Sequence, residues 1–548
     1  MVALLGLASL ALLPSIARAD APDNWKLSLD GYYRTRGYIY SGLYDGQAAP
    51  GTLMTQRLRM QPTFNFEDRA KFSMMVDALD GVVWGDNESL ASTALFAGDP
   101  SNTDLDGMAI DPITVRRAWM EFKVPVGLVR VGRQGSNWGM GILANEGNGF
   151  DDTFGENKYG STYDRVMFAT RPITVATTVA QMAGGKGKVR DVPLIAAIGV
   201  DRLVEDPLVQ YYGYECDSGS DGDDLTSGGL CEVDEDHGFS EERTDDQRAS
   251  SWWVDPNDDV WEMIYVLVYR GEGVKLGKST VGDITGGVYV VNRKQIETES
   301  NVLIADAYAK VEVKDLYVEG EVLHIGGHSK AITLPGVISY DPSIDPLAKD
   351  VDIWGYAARA GYQDEHYTAY LEHGYASGDD NATDADFTGR PMHPDYNVGL
   401  LLYEEVLARV TAVTWSEGAK GLWSNGGVYN SRYLYPTVKF RPGRSWETIG
   451  AFLVAWPDKP DGSRILCREG DAVECTQYLA SSKILGWEAD LAVKHKFADH
   501  INFTLEGGYA HATDRLPLAT TGLGYKTDDE GHVYGNYFTL QSRIAYEF

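Results

Sequence analysis

The sequence predicts an all-β protein: a single transmembrane antiparallel up-and-down β-barrel of about 18 strands, with 16 possible. Three observations carry this reading. Apolar and polar residues alternate over segments of roughly ten residues or more, the length of a tilted membrane strand. The connections between those segments alternate short and long. The chain ends on such a segment, with Phe548 on its apolar face.

Residues 2–16 form an apolar run that ends in Ala17-Arg18-Ala19, a small-x-small pattern. This is the shape of a secretory signal peptide cut after Ala19, although no basic residue precedes the apolar run. Residues 20–548 are then the barrel domain. No later run of 18 apolar residues occurs, so no transmembrane helix is expected. The first strand sets Leu27, Leu29, Gly31 and Tyr33 against Ser28, Asp30, Tyr32 and Arg34. The second sets Leu58, Met60, Pro62, Phe64 and Phe66 against Arg57, Arg59, Gln61, Thr63 and Asn65. Ala305 to Val313 alternate with Asp306, Tyr308, Lys310 and Glu312, and Leu485, Trp487, Ala489, Leu491 and Val493 with Glu488, Asp490 and Lys494. Ile501, Phe503 and Leu505 face away from Asn502, Thr504 and Glu506. Successive strand residues point to opposite faces, so each segment has a greasy side and a polar side. A soluble sandwich shares this alternation. Loop asymmetry, the last strand and the aromatic load favour the membrane.

Short connections fall at 67–70, 125–127, 314–315, 364–365, 442–445 and 498–500, and long polar ones at 85–111, 140–161, 204–256, 329–350, 378–424, 457–482 and 513–532. Short periplasmic turns and long outer loops are what a bacterial barrel requires. Nineteen candidate strands can be drawn, and a barrel with both termini periplasmic needs an even number. The weak pair is 173–183 and 193–203. Merging them, or demoting 173–183 to a connection, leaves 18 and puts 204–256 outside. Aromatic residues crowd near strand ends, among them Trp25, Tyr40, Trp84, Trp119, Tyr163, Trp261, Trp354, Trp446, Trp456 and Tyr537, as interfacial girdles require. Reading back from the end, Phe548, Tyr546 and Ile544 share the apolar face. This resembles the terminal assembly signal of bacterial outer-membrane proteins and implies the barrel-assembly machinery as a partner.

Arg57-Leu58-Arg59, the run Val115-Arg116-Arg117-Ala118-Trp119-Met120-Glu121-Phe122, and Leu128-Val129-Arg130-Val131-Gly132-Arg133-Gln134 resemble the opening strands of the alginate-exporter and porin-like barrels. Gly135-Ser136-Asn137-Trp138-Gly139-Met140-Gly141-Ile142 looks closest to porin-like proteins of myxobacteria and relatives. The local motifs cover residues 25–140. The resemblance implies an 18-stranded outer-membrane channel with an arginine-bearing lumen, and it carries no solute with it.

With the apolar face toward lipid, the other face lines the pore. A basic arc then comprises Arg34, Arg36, Arg57, Arg59, Arg117, Arg130 and Arg165, and an acidic arc Glu319, Glu321, Glu372, Glu488, Asp490 and Glu506. Opposed walls of this kind set up a transverse field that orients charged and dipolar solutes. Equally, the charges pair with neighbours and stiffen the wall. An arginine facing lipid at mid-depth costs about 2–4 kcal/mol. Alternation sends Arg133 outward with Val129 and Val131, and a bulge at Gly132 would turn it inward.

Lysine and arginine total 48 against 80 aspartates and glutamates, a formal charge of −32, which argues against nucleic acid as a partner. The segment 203–259 alone holds 18 acids and only two basic residues, Arg243 and Arg248. Four cysteines cannot replace a core over 548 residues. Cys216 with Cys231, and Cys467 with Cys475, each close a short loop, so two local disulfides are the simple reading, with zinc the lesser one. The acids of 217–224 read as a solvated loop, with loop-bound calcium the alternative, and no other cofactor or metal is expected. Divalent ions bridging such carboxylates to lipopolysaccharide phosphates are an intermediate case. Leu400 to Val410 has helical apolar spacing, fitting either a constriction folded into the lumen or an outer lid. No Gly-x-Ser-x-Gly and no His-Glu-x-x-His occurs, so no enzyme is expected. The expectation is therefore a Gram-negative outer-membrane channel for small or charged solutes, surrounded by lipid and lipopolysaccharide. The alternative is a non-conducting adhesin or scaffold acting through its acidic loops.

Overall fold

The computed structural model describes residues 25–42, 51–67, 69–80, 113–147, 153–157, 160–184, 187–205, 260–276, 279–296, 299–329, 349–379, 386–408, 424–459, 465–468, 474–477, 483–498, 500–517 and 532–548. The expected signal peptide, Trp84, Cys216, Cys231, the acids of 217–224 and nearly all of 204–256 lie outside the described residues.

The strands run β1 (Trp25–Ser41), β2 (Gly51–Phe66), β3 (Ala70–Ala78), β4 (Ile113–Val124), β5 (Gly127–Gly135), β6 (Thr162–Thr170), β7 (Leu194–Glu205), β8 (Trp261–Leu276), β9 (Ser279–Gln295), β10 (Ser300–Val313) and β11 (Leu316–Ser329). They continue as β12 (Lys349–Gln363), β13 (Tyr367–Ala376), β14 (Asp386–Phe387), β15 (Ser431–Gly443), β16 (Trp446–Pro457), β17 (Ile465–Arg468), β18 (Glu474–Gln477), β19 (Gly486–Phe497), β20 (Ile501–Pro517) and β21 (His532–Glu547). One sheet holds 19 of them, and β14 is only a two-residue parallel addition to β12, so 18 strands form the wall. Each wall strand pairs antiparallel with the next, and β21 returns to β1 from Tyr32 opposite Glu547 to Ser41 opposite Phe538. Closure leaves no edge strand to satisfy. β17 and β18 make a separate hairpin whose backbone register sets Cys467 opposite Cys475.

The segment 173–183, counted first as a candidate strand, is a helix, α1 (Pro172–Met182). Its Ile, Thr and Val residues mimic a strand, but Pro172 stands in the first helical turn, where its fixed φ and missing N–H cost nothing. The connection reading, and with it the count of 18, is the one the fold adopts. Most long connections leave from one end of the barrel and most short turns from the other; the exceptions are the β6–β7 connection that carries α1, on the short-turn end, and the short turn between β9 and β10, on the long-connection end. Asp364 shapes one short turn by accepting from the His366 and Tyr367 N–H groups at 2.7 and 2.6 Å.

The outside is greasy and the inside polar, the reverse of a soluble protein. Leu27, Leu29, Val200, Leu371, Leu491, Ile544 and Tyr546 are exposed on the outer face, and Arg34, Arg57, Asp77, Glu262 and Glu372 are buried within. Such an exterior requires a hydrocarbon surround. Phe548, Tyr546 and Ile544 lie together on it.

Four aromatics expected in the girdles turn inward instead. Tyr163 and Tyr537 are buried, Tyr40 reaches Glu405, and Trp119 shares the face of Arg117. Leu485 precedes its strand and is buried in the interior. Register is continuous on both sides of Gly132, so no bulge turns Arg133 inward and strict alternation holds there. Gly132 takes a positive φ, yet Arg133 stays on the outer face, paired with Asp164 at 2.9 Å.

Two long connections fold back into the barrel. Ile142, Leu143 and Phe154 come from the β5–β6 connection, and Leu400, Leu401, Leu402, Tyr403, Val406 and Leu407 from the β13–β15 connection. They pack on inward wall residues including Tyr433, Ile449, Leu453 and Ala512. Within the described part of that run, Leu400 to Ala408, the helical spacing belongs to an internal segment with a short π-helical turn at Leu402–Leu407, and not to an outer lid; 409 and 410 lie outside the described residues.

Candidate functional site

Strand alternation carries the basic arc inward. Arg34, Arg36, Arg57, Arg59, Arg117 and Arg165 are all buried inside the barrel, and Arg130 faces inward near the short-turn end, on Glu121 at 2.7 Å. Each has an acidic partner. Arg59 grips Asp77 with two parallel bonds of 2.7 Å, and Arg57 meets Asp80 at 2.6 Å. Arg165 bonds Asp201, and Arg117 reaches both the carboxylate and the backbone carbonyl of Glu146. Arg34 and Arg36 converge on Glu156, at 2.7 and 3.6 Å.

Two further guanidinium groups belong to this wall. Register shifts between Met75 and Val76, whose partners are Arg117 and Val115, leaving Arg116 as the extra residue of a bulge. Arg116 thereby joins Asp77 and Asp80 at 3.3 and 3.1 Å inside the barrel. No pattern of period two announces that. Arg543 also points inward, with its Nη1 3.8 Å from Glu156. Its place opposite Ile544 in the last strand was the available signal.

The acidic arc also points inward, but it holds protein rather than empty space. Glu488 accepts the backbone N–H groups of Leu400, Leu401 and Leu402 at 2.6, 2.8 and 2.6 Å. Glu321 accepts from the Met140 and Gly141 N–H groups, the latter at 3.0 Å. Gly139 makes that approach possible: its φ is +58°, and a Cβ there would lie 2.3 Å from Glu321 Oε2. Glu506 takes the Gly155 N–H at 3.2 Å and Arg36 at 3.2 Å. Glu372 binds the Tyr396 and Tyr433 hydroxyls at 2.9 and 2.7 Å, and Arg359 joins it to Glu319. Asp490 is buried on the same face as Glu488. Carboxylates suit this role, because exposed N–H groups of a turn seek a charged acceptor.

Glu156 is the point where the two arrangements meet. Burial pushes its carboxyl up, but the charges of Arg34, Arg36, Arg543 and Arg57 outweigh burial and hold it below the usual carboxylate range. Beside it lies a cavity of about 280 Å3. Arg34, Arg36, Arg57 and Asp80 of the wall side line it, together with Glu156, Glu404 and Glu405 from the inserted segments. Glu156, Glu404 and Glu405 sit in non-repeating connections, where no sequence period marks them.

No protein-family model and no curated protein matches the chain. Among solved structures it is similar to Pseudomonas aeruginosa OccK2 (OpdF), at 10 % identity and a TM-score of 0.42, over 95 % of this chain and 98 % of that one. It is similar to Pseudomonas aeruginosa OccK11 (OpdR) at 8 % identity and a TM-score of 0.44, over 95 % and 96 % of the two chains. The Pseudomonas aeruginosa OpdK structure with vanillate gives 10 % identity and a TM-score of 0.44, over 95 % and 98 %.

Proposed function

We propose that the protein is an outer-membrane channel passing small charged or dipolar solutes along its arginine wall. One observation carries this: the interior cavity is lined by guanidinium groups and carboxylates together. A solute with separated charges finds partners for both ends among such groups, and low-dielectric walls focus the field. The greasy exterior supports a lipid surround, which in a Gram-negative outer membrane includes lipopolysaccharide. Residues 1–19 serve as the export signal, and the strand ending at Phe548 presents the chain to the barrel-assembly machinery. Kinship with the alginate-exporter and porin-like barrels rests on the opening-strand motifs and belongs to the same proposal, as do the two local disulfides, Cys216–Cys231 and Cys467–Cys475.

The test is conductance in a planar bilayer. The full protein gives discrete steps, and neutralising Arg34, Arg57, Arg59 and Arg117 together to Gln shifts the reversal potential toward cations. An unchanged reversal potential makes those arginines structural. Silence that persists after the long loops are deleted favours the scaffold reading.

A further inference from the structure

We infer that Glu156 is an internal stand-in for a solute carboxylate: the chain fills its own oxyanion site, and a small incoming carboxylate binds by exchanging with it. This rests on the channel reading above and concerns how that site is regulated. The Glu156 side chain is 2 % exposed and lies among four guanidinium groups. Arg34 Nε is 2.7 Å from Oε1, while Arg57 stands 3.8 Å from Oε1, and Arg36 and Arg543 stand 3.6 and 3.8 Å from Oε2. Only the first is a hydrogen bond. Oε2 accepts none, and Arg36 Nε donates none, among the described residues.

The carboxylate is thus drawn by four charges but hydrogen-bonded by only one of them. A free carboxylate has no backbone tether and can meet a guanidinium fork with two parallel bonds. Room for a guest is present, because Arg34, Arg36, Arg57 and Glu156 all line the same cavity of about 280 Å3, which also limits the guest to a small molecule. The stretch carrying Glu156 is also anchored by Phe154 packing and by polar contacts that include Thr153 with the Tyr370 hydroxyl at 3.1 Å, the Gly155 N–H on Glu506, and Arg543 on the Gly155 carbonyl. The arginines stay in place without Glu156, since Arg57 keeps Asp80 at 2.6 Å and Arg36 keeps Glu506 at 3.2 Å.

The test uses the full chain in detergent, with sodium acetate as the probe in isothermal titration. Glu156→Gln keeps the shape and removes the charge, and it should tighten acetate binding by about tenfold or more. Adding Arg34→Gln to that variant should abolish the gain. Circular dichroism and heat-dependent gel mobility establish that each variant is folded. Equal or weaker acetate affinity in folded Glu156→Gln overturns the inference, as does a gain that survives Arg34→Gln. Bilayer recordings of the same proteins separate the two readings. Tighter acetate binding with no conductance in any variant sinks the channel and leaves the exchange site standing. Normal conductance with unchanged acetate affinity sinks the exchange alone.

Discussion

The basic and acidic walls of this barrel carry charge at the same inward positions, yet they do different work. On the acidic side, Glu488 and Glu321 are occupied by backbone N–H groups of the two inserted segments. On the basic side, Arg34, Arg36 and Arg57 meet side-chain carboxylates and also front the cavity. The difference follows from donor chemistry. A carboxylate accepts several backbone N–H groups at once and so fastens a turn, whereas a guanidinium only donates and finds its best partners in other side chains. Inward charge alone therefore does not define a solute surface, because the opposing chain decides what each charge holds.

The comparison breaks most sharply at Glu488. Glu488→Ala leaves three buried N–H groups without their acceptor, at roughly 1–3 kcal/mol each. The expected outcome is a lower unfolding temperature in detergent and a larger single-channel conductance as the Leu400 segment leaves the interior. An unchanged conductance would mean that this segment is held by packing alone.

A smaller effect is set by pH at Glu156. Its carboxyl is lowered in the folded state, so its charge contributes fully above the ordinary carboxylate range and is lost as pH falls through the lowered value. Wild-type conductance should therefore show a change on the acid side, below the ordinary carboxylate range. Glu156→Gln should lack that acid-side change. An acid-side change that survives in Glu156→Gln would assign the response to another group.

The smallest effect belongs to the outer face. Arg133 and Asp164 are ion-paired with both side chains about half exposed, so Arg133→Ala should cost at most about 1 kcal/mol in detergent unfolding. It should leave ion selectivity unchanged. A selectivity shift would mean that Arg133 turns inward after all.

Much of the wall was legible in advance because a strand obeys a strict period of two. That rule alone sends Leu27 and Leu29 outward and Arg34 and Arg36 inward, and it holds through β20 at Leu505 and Glu506. It fails where the backbone departs from it. Arg116 enters the interior through a bulge, and α1 replaces a stretch whose β-branched residues suggest a strand. Tyr40 and Tyr537 keep to the rule, on the inward faces of Arg36 and Gln541; there it is the girdle reading of aromatics near strand ends that fails, and the inserted segments offer Tyr40 a carboxylate and Tyr537 an apolar bed.

What the sequence by itself determined is the cylinder: its class, the inward or outward sense of most wall side chains, and the ends on which long and short connections lie. These are local matters, settled by alternation, turn length and the cost of charge in hydrocarbon. Only the tertiary structure decided what fills the cylinder. The contact of Glu156 with Arg543 spans 387 positions, and that of Leu400 with Glu488 spans 88. Such pairings arise from where two irregular connections fold back across the interior, and an irregular connection has no period from which that path can be read.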